Sequence, residues 1–318
     1  MESPTFLDVL DAKRILRDYL KPTPLISYPA LDKFTDSNIF VKREDLQPIS
    51  SFKIRGGINL IAHLEQHQIT RGFVTASTGN HGQSIAYASK LFSTSCVIVV
   101  PHGANPLKVE AIENLGAEVI FSGEAIEESQ KQALKIAHER NMNYVHPANE
   151  RFLIAGVATE TLEILGSVPD LDFLFVPVGA GSTAAGASLV VENINPRVKI
   201  IGVQSIQAPA AQRSWSTNNI VSVPTATTAE GLATSEGYEL PQKLFENSMH
   251  DFILVDDAEL NSAVRLFVEK CHVLSELAGA AALAGVISYR KHLQNKKVAI
   301  ILSGSNITVN QLQKALLV

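Results

Sequence analysis

Ser50-Ser51-Phe52-Lys53-Ile54-Arg55-Gly56-Gly57 sets a lysine between a flat aromatic ring and paired glycines, where a helical pattern begins. A lysine held partly out of water has a lowered pKa, and its free amine attacks carbonyl carbons. Taken alone, Lys53 reads equally well as a surface lysine in the first turn of a helix. Its meaning depends on four other segments.

Val176-Pro177-Val178-Gly179-Ala180-Gly181-Ser182-Thr183 runs from a buried strand through a small-residue turn into a helix. A helix start offers unpaired N–H groups and the positive end of a dipole, a natural phosphate seat. The glycine spacing is neither a dinucleotide fingerprint nor a P-loop. Ala76-Ser77-Thr78-Gly79-Asn80-His81-Gly82-Gln83 is a second strand-to-helix turn, carrying hydroxyls, an amide and an imidazole. Its N–H groups could hold a carboxylate, although Ser77 and Thr78 alone read as helix caps and His81 as a structural histidine. Leu302-Ser303-Gly304-Ser305-Asn306 ends the last strand, and Ser275-Glu276-Leu277-Ala278-Gly279 opens a small-residue helix with one carboxylate. Together these segments supply a lysine nucleophile, a phosphate seat, a carboxylate seat and a hydroxyl for a ring nitrogen. Those are the parts needed to hold pyridoxal phosphate and an amino acid.

The elements that must position them alternate along the chain. A capped helix at Thr5-Phe6-Leu7-Asp8 continues to about residue 19, and Pro22 and Pro24 end it. A loop leads to a strand over 38–42, and a helix spans 53–67. Strands are expected over 72–76, 95–100, 117–121 and 143–145, with helices over 81–91, 106–115 and 124–140 between and after them. A second series has helix 151–165, strand 173–178, helix 183–191 and strand 198–203. Irregular sequence fills 206–237. Strand 252–255, helices 257–271 and 276–292, strand 297–302 and a helix over 309–317 finish the chain. This alternation predicts an α/β protein of two domains, each with a mainly parallel sheet flanked by helices. The large domain takes 1–68 and 146–318, and the small domain 69–145. Lys42-Arg43-Glu44-Asp45 reads, on charge alone, as a solvated loop.

The 318 residues exceed one compact core, in keeping with two domains. A net charge of −5 gives no reason to expect nucleic acid or an anionic membrane as partner. No apolar run is long enough to span a bilayer, and Met1 to Leu10 lacks the basic start of a secretory signal. Cys96 and Cys271 lie in apolar patterns, so buried free thiols are expected, not a disulfide. A cytoplasmic setting follows as an expectation.

Lys42-Arg43-Glu44-Asp45-Leu46-Gln47-Pro48, followed by Ser51-Phe52-Lys53-Ile54-Arg55-Gly56, resembles the cofactor-lysine signature of the threonine/serine dehydratase and serine racemase family. These are pyridoxal phosphate enzymes of fold type II, the tryptophan synthase β-subunit-like fold. The segments at Ser77, Gly179 and Ser303 occur in that family's order, so the resemblance spans essentially the whole chain. It implies that Lys53 forms the Schiff base and Phe52 lies against the cofactor ring. It implies that Asn80 bonds the ring hydroxyl oxygen, that Gly179, Ala180, Gly181, Ser182 and Thr183 hold the phosphate, and that Ser303 faces the pyridine nitrogen. Gly231 would approach the cofactor by its backbone, and Glu276 would stand near the ring. Ser77, Thr78, Gly79 and His81 would surround the substrate carboxylate. The implied partner is a small amino acid, and the implied assembly a homodimer or a dimer of dimers.

The chain departs from the family pattern in several places. The phosphate loop is usually four glycines and a large apolar residue, and Ala180 is costly if its position needs positive φ. Ile49-Ser50 replaces the usual Thr-Gly. Gln204 stands where metal-stimulated members carry glutamate, so no metal is expected. The chain ends soon after Asn306, so a C-terminal regulatory domain is not expected. The expected activity is conversion of a 3-hydroxy amino acid such as threonine or serine to a 2-oxo acid and ammonia. Thr78 keeps open racemisation, or use of 3-hydroxyaspartate, because serine racemase carries a hydroxyl there as a second acid/base. A catalytically silent binding protein on the same fold is the alternative of another class. Synthase chemistry is disfavoured by Ile54 and by the 42–45 run.

Overall fold

The computed structural model describes residues 2–317. Among the described residues ten strands form two sheets: β1 Leu25–Ser27, β2 Asn38–Arg43, β3 Phe73–Ala76, β4 Cys96–Val100, β5 Glu118–Phe121, β6 Asn143–Tyr144, β7 Phe173–Pro177, β8 Lys199–Ser205, β9 Met249–Val255 and β10 Lys297–Leu302. The larger sheet has the order β1-β2-β10-β7-β8-β9, and the smaller β5-β4-β3-β6. Every pairing is parallel except that of β1 with β2. β4 and β7 are buried along their whole length, as parallel strands covered on both faces must be. Cys96 and Cys271 are buried free thiols.

Small residues let the covering helices come close. A Cβ on Gly186, in helix Ser182–Ile194, would lie 2.8 Å from Cα of Ala158 in helix Arg151–Ser167. A Cβ on Gly156 of the same helix would lie 2.5 Å from the Arg55 carbonyl oxygen of helix Lys53–Ala62. These contacts fix the depth at which the Lys53 helix and the Ser182 helix sit on their common neighbour. The turns after β3, β7 and β10 then meet at the carboxyl ends of their strands, where open α/β sheets place ligands.

The structure departs from the sequence reading in several elements. The helix expected over 53–67 stops at Ala62, and a separate helix, Gln66–Thr70, follows. The break is local: Glu65 and Gln68 exchange capping bonds and start a new helix. The loop before β2 contains strand β1 and helix Pro29–Thr35, with proline in the first turn. The stretch expected to be irregular contains helix Ala210–Thr217, closed by Asn218 in the left-handed conformation. Helix Asp257–Leu266 runs on as a π-helical turn over Phe267–Cys271.

The largest correction concerns the 42–45 run, which is no solvated loop. Lys42 is 1% exposed, Glu44 0% and Arg55 2%. Arg55 donates to Glu44 through Nε at 2.8 Å and Nη2 at 2.7 Å, and to Glu163 through Nη1 at 2.7 Å. Lys42 donates to Glu163 and to the Thr23 carbonyl oxygen. Thr23 Oγ1 donates to Glu44 at 2.5 Å. Burial alone would raise the Glu44 carboxyl, but Arg55 and Lys42 hold it below its ordinary value. Two cations and two anions therefore balance inside the protein, with their hydrogen bonds satisfied. Removing one partner strands the others, so Arg55→Met is expected to lower the unfolding free energy by about 3–5 kcal/mol in urea denaturation. A loss below 1 kcal/mol would show the cluster to be dispensable.

Candidate active site

Lys53 opens its helix directly after Phe52, and its Nζ lies 4.9 Å from the centroid of that ring. The amine donates to Ser182 Oγ at 3.1 Å, so it stands at the start of helix Ser182–Ile194. Burial pushes its pKa down to about 8, and the Glu160 carboxyl partly opposes that shift. A chain carbonyl locks the segment behind it: the Lys53 oxygen accepts from Ser84 Oγ at 2.5 Å. Phe52 N donates to the Ser303 carbonyl at 3.1 Å, which ties the lysine to the end of β10.

Gly181 precedes the Ser182 helix with φ of 93°, the left-handed region that glycine adopts without penalty. Ala180 is not among the residues with positive φ, so alanine carries no backbone penalty there. The demand falls one residue later than feared. Ser50, by contrast, has φ of 53° at the position where the family pattern has glycine. A Cβ on Gly179 would lie 2.2 Å from the Gly231 carbonyl oxygen, so these two distant glycines sit backbone against backbone. Thr234 Oγ1 caps the Gly179 carbonyl at 3.3 Å. The first N–H groups of the helix are left without intrahelical partners, beside the buried Ser182 and Thr183.

Across the cavity, helix Asn80–Leu91 starts at Gly79 without any side-chain cap. Ser77 Oγ instead accepts from Gly79 N at 3.2 Å. Asn80 Nδ2 donates to Glu276 Oε1 at 2.6 Å, and its Oδ1 accepts from Asn306 Nδ2 at 2.7 Å. One amide hydrogen of Asn80 is left for another partner. Burial raises the Glu276 carboxyl above its ordinary value, though Lys108 and the Asn80 bond pull it back.

The Thr75 hydroxyl donates to the Val145 carbonyl at 2.8 Å, so it offers only lone pairs to His81 Nε2, 3.2 Å away. Nε2 therefore carries the proton, and the buried Nδ1 holds a lone pair with no partner. Burial, with help from Lys53 and His146, drives the His81 pKa down to about 3. His81 brings no positive charge to the cavity, so a carboxylate there depends on backbone N–H groups.

All the residues singled out from the sequence line one cavity of about 360 Å³, including Phe52, Lys53, Thr78, Asn80, Gly231 and Ser303. The sequence reading missed several of its walls. Lys108 Nζ donates to Glu230 Oε2 at 2.6 Å across the cavity. Ser235 Oγ donates to Glu127 at 2.7 Å, and Tyr238 also lines the wall. These partners lie more than a hundred residues apart, and none belongs to a motif. Only the signal of an unusually long irregular stretch marked the region of Glu230 and Ser235.

The donor set fits a phosphorylated aldehyde: an amine with a lowered pKa, a helix start with free N–H groups, and a glycine cradle that any side chain would fill. With its pKa near 8, Lys53 should react with a neutral amine-directed reagent about tenfold faster per pH unit up to pH 8, then level off. A rate still climbing at pH 9.5, measured by peptide mapping, would mark Lys53 as an ordinary lysine.

The family described as "Pyridoxal-phosphate dependent enzyme" matches residues 16–304. The chain is 36% identical over 313 residues to L-threonine ammonia-lyase of Thermotoga maritima, covering 98% of this chain and 77% of that one. It is 32% identical over 309 residues to L-threo-3-hydroxyaspartate ammonia-lyase of Saccharomyces cerevisiae, covering 97% and 95%. The structure of maize serine racemase superposes with a TM-score of 0.93 at 29% identity, covering 99% of this chain and 98% of that one. With its lysine, glycine cradle and whole length accounted for, this chain belongs to the pyridoxal-phosphate dependent enzymes, on the fold those structures share.

Proposed function

We propose that the chain is an ammonia-lyase that converts a neutral 3-hydroxy amino acid, such as threonine or serine, to a 2-oxo acid and ammonia. The charge of the cavity wall supports this choice over 3-hydroxyaspartate. Among the described residues the only cationic side chains in the wall are Lys53 and Lys108, and Lys108 is already paired with Glu230. Glu127, Glu236 and Glu276 line it as well. A second carboxylate on the substrate would meet anions without a free counter-charge.

In this reading Lys53 tethers the cofactor, and its amine then takes the proton from the substrate α-carbon. Its pKa of about 8 leaves about a tenth of the amine free at pH 7, against well under a thousandth for an ordinary lysine. Gly179, Ala180, Gly181, Ser182 and Thr183 would hold the phosphate, Phe52 would pack on the ring, and Gly231 would approach by its backbone. Asn80 would donate to the ring oxygen with its remaining N–H, with Glu276 keeping Asn80 oriented. Ser303 would stand at the pyridine nitrogen, where a hydroxyl would not force a proton onto it. The backbone of Ser77, Thr78, Gly79 and His81 receives the substrate carboxylate at the helix start. The cofactor, when bound, supplies an aldehyde for the substrate amine and a ring that withdraws electrons from the α-carbon. The division at 69–145 belongs to the same proposal, and the Lys108–Glu230 and Ser235–Glu127 contacts would then bridge the domains. So does a homodimer or dimer of dimers in the cytoplasm, where two buried free thiols are at home.

Racemisation is the second reading, because the Thr78 hydroxyl lines the cavity and bonds to no other described residue. The test is a panel of L- and D-serine, L-threonine and threo- and erythro-3-hydroxyaspartate, scored for 2-oxo acid and for enantiomer exchange. L-Threonine or L-serine should give the highest kcat/KM, and a preference for 3-hydroxyaspartate would overturn the choice. Thr78→Ala should retain dehydration within about tenfold and lose any racemisation by 10²-fold or more, the scale of a lost acid/base group. Undiminished racemisation by that variant would remove Thr78 from the mechanism.

A further inference from the structure

Lys108 and Glu230 line the cavity but take no part in the chemistry above. They come from different stretches of chain. Lys108 lies in helix Pro106–Asn114, and its side chain is 9% exposed. Glu230 opens the short turn Glu230–Leu232, and its side chain is 35% exposed. The two meet at 2.6 Å. Among the described residues Glu230 is the one carboxylate of the wall that is joined to a cation. Glu276 accepts from the Asn80 amide and Glu127 from the Ser235 hydroxyl.

Backbone packing fixes where this pair sits. A Cβ on Gly82 would lie 3.1 Å from the Ser77 carbonyl oxygen and 3.3 Å from Cδ1 of Ile112, one turn after Lys108 on its helix. The Lys108 helix therefore packs on the turn that offers the carboxylate seat. On the other side, the Gly231 carbonyl oxygen fills the space beside Gly179 in the phosphate cradle. A Cβ on Gly231 would also lie 2.7 Å from Cβ of Ala278, in the first turn of helix Leu277–Tyr289. The pair thus joins the carboxylate turn to the cradle. In the reading above, that turn takes the substrate carboxylate and the cofactor at Lys53 takes the amine. The substituent on the β-carbon falls to the rest of the wall, where Lys108 is the one cation among the described residues.

We propose that Glu230 is a specificity-determining residue: its carboxylate occupies the place on Lys108 that a second substrate carboxylate would need, and so turns acidic substrates away. L-Threonine and L-threo-3-hydroxyaspartate differ by a methyl against a carboxylate on the β-carbon. The methyl leaves the Lys108–Glu230 pair undisturbed. The carboxylate meets a cation already matched, with Glu230, Glu127 and Glu236 as anions in the same wall. Glutamine at position 230 keeps the shape and leaves the Lys108 charge for the substrate. The inference rests on the cavity being an amino-acid site, as proposed above.

The test compares wild type with Glu230→Gln, Glu230→Ala, Lys108→Met and the double variant Glu230→Gln with Lys108→Met. The quantity read is the ratio of kcat/KM for L-threo-3-hydroxyaspartate to that for L-threonine. Both Glu230 variants should raise this ratio by about tenfold or more, the scale of one relieved charge contact. Lys108→Met should lower it, and the double variant should lose the gain. A second readout needs no turnover: calorimetric binding of succinate and butyrate to the ligand-free protein. Both acids have four carbons, so only the second carboxylate separates them, and Glu230→Gln should favour succinate by about tenfold relative to wild type. An unchanged ratio in folded Glu230→Gln and Glu230→Ala overturns the inference, as does a gain that survives in the double variant. Equal losses on both substrates would make the pair a bridge between chain segments and nothing more, and would overturn it too. The proposed reaction fails separately, if wild type releases no 2-oxo acid from either amino acid; the succinate comparison then still decides the role of Glu230.

Discussion

An amine must stay deprotonated near neutral pH to act on carbon, and water is what normally keeps a lysine charged. The structure moves toward that constraint by half-burying Lys53 against Phe52 and Ser182, which brings its pKa down to about 8. Everything else in the site follows from where that enclosure can be built. The lysine must open a helix, the helix must be held at a fixed depth, and the phosphate seat must lie within reach of the amine. Gly156 and Gly186 set the two depths through one shared helix.

Beneath the lysine lies a second electrostatic problem. Lys42, Arg55 and Glu44 are out of water and Glu163 is partly buried, and each depends on the others. Such a cluster gives little net stability over apolar residues, yet it tolerates only one arrangement of its members. It ties β2, the Lys53 helix and helix Arg151–Ser167 into one rigid seat. Glu160, fully buried beside it, has no hydrogen-bond partner at either carboxyl oxygen. On the other side of the cavity the wall is built from pairs: Asn80 with Glu276 and Asn306, and Lys108 with Glu230. These pairs leave Lys53 as the one unpaired cation among the described residues that line the cavity.

Much of the fold was legible in the sequence. Continuous β-branched runs gave the buried strands, and alternation gave parallel sheets with helical crossovers. What escaped was governed by local caps and by tertiary contacts. Glu65 splits a helix that periodicity alone would join. Helix Ala210–Thr217 has small and polar residues that carry no apolar stripe strong enough to announce it. The 42–45 charges read as solvated because a charge pattern cannot say whether partners wait 121 residues away.

The sequence by itself determined the chemistry on offer: a lysine before paired glycines, two hydroxyl-rich helix starts and a late serine, in an order that one family shares. It did so because reactive groups and the turns that hold them are local, within a few residues of each other. The tertiary structure alone decided the state of those groups. That the Lys53 pKa falls to about 8, that His81 is neutral, that Gly181 and not Ala180 takes the left-handed turn, and that the Glu160 carboxyl has no hydrogen-bond partner all depend on what surrounds each group. Burial and charge are properties of neighbours in space, and those neighbours come from distant parts of the chain.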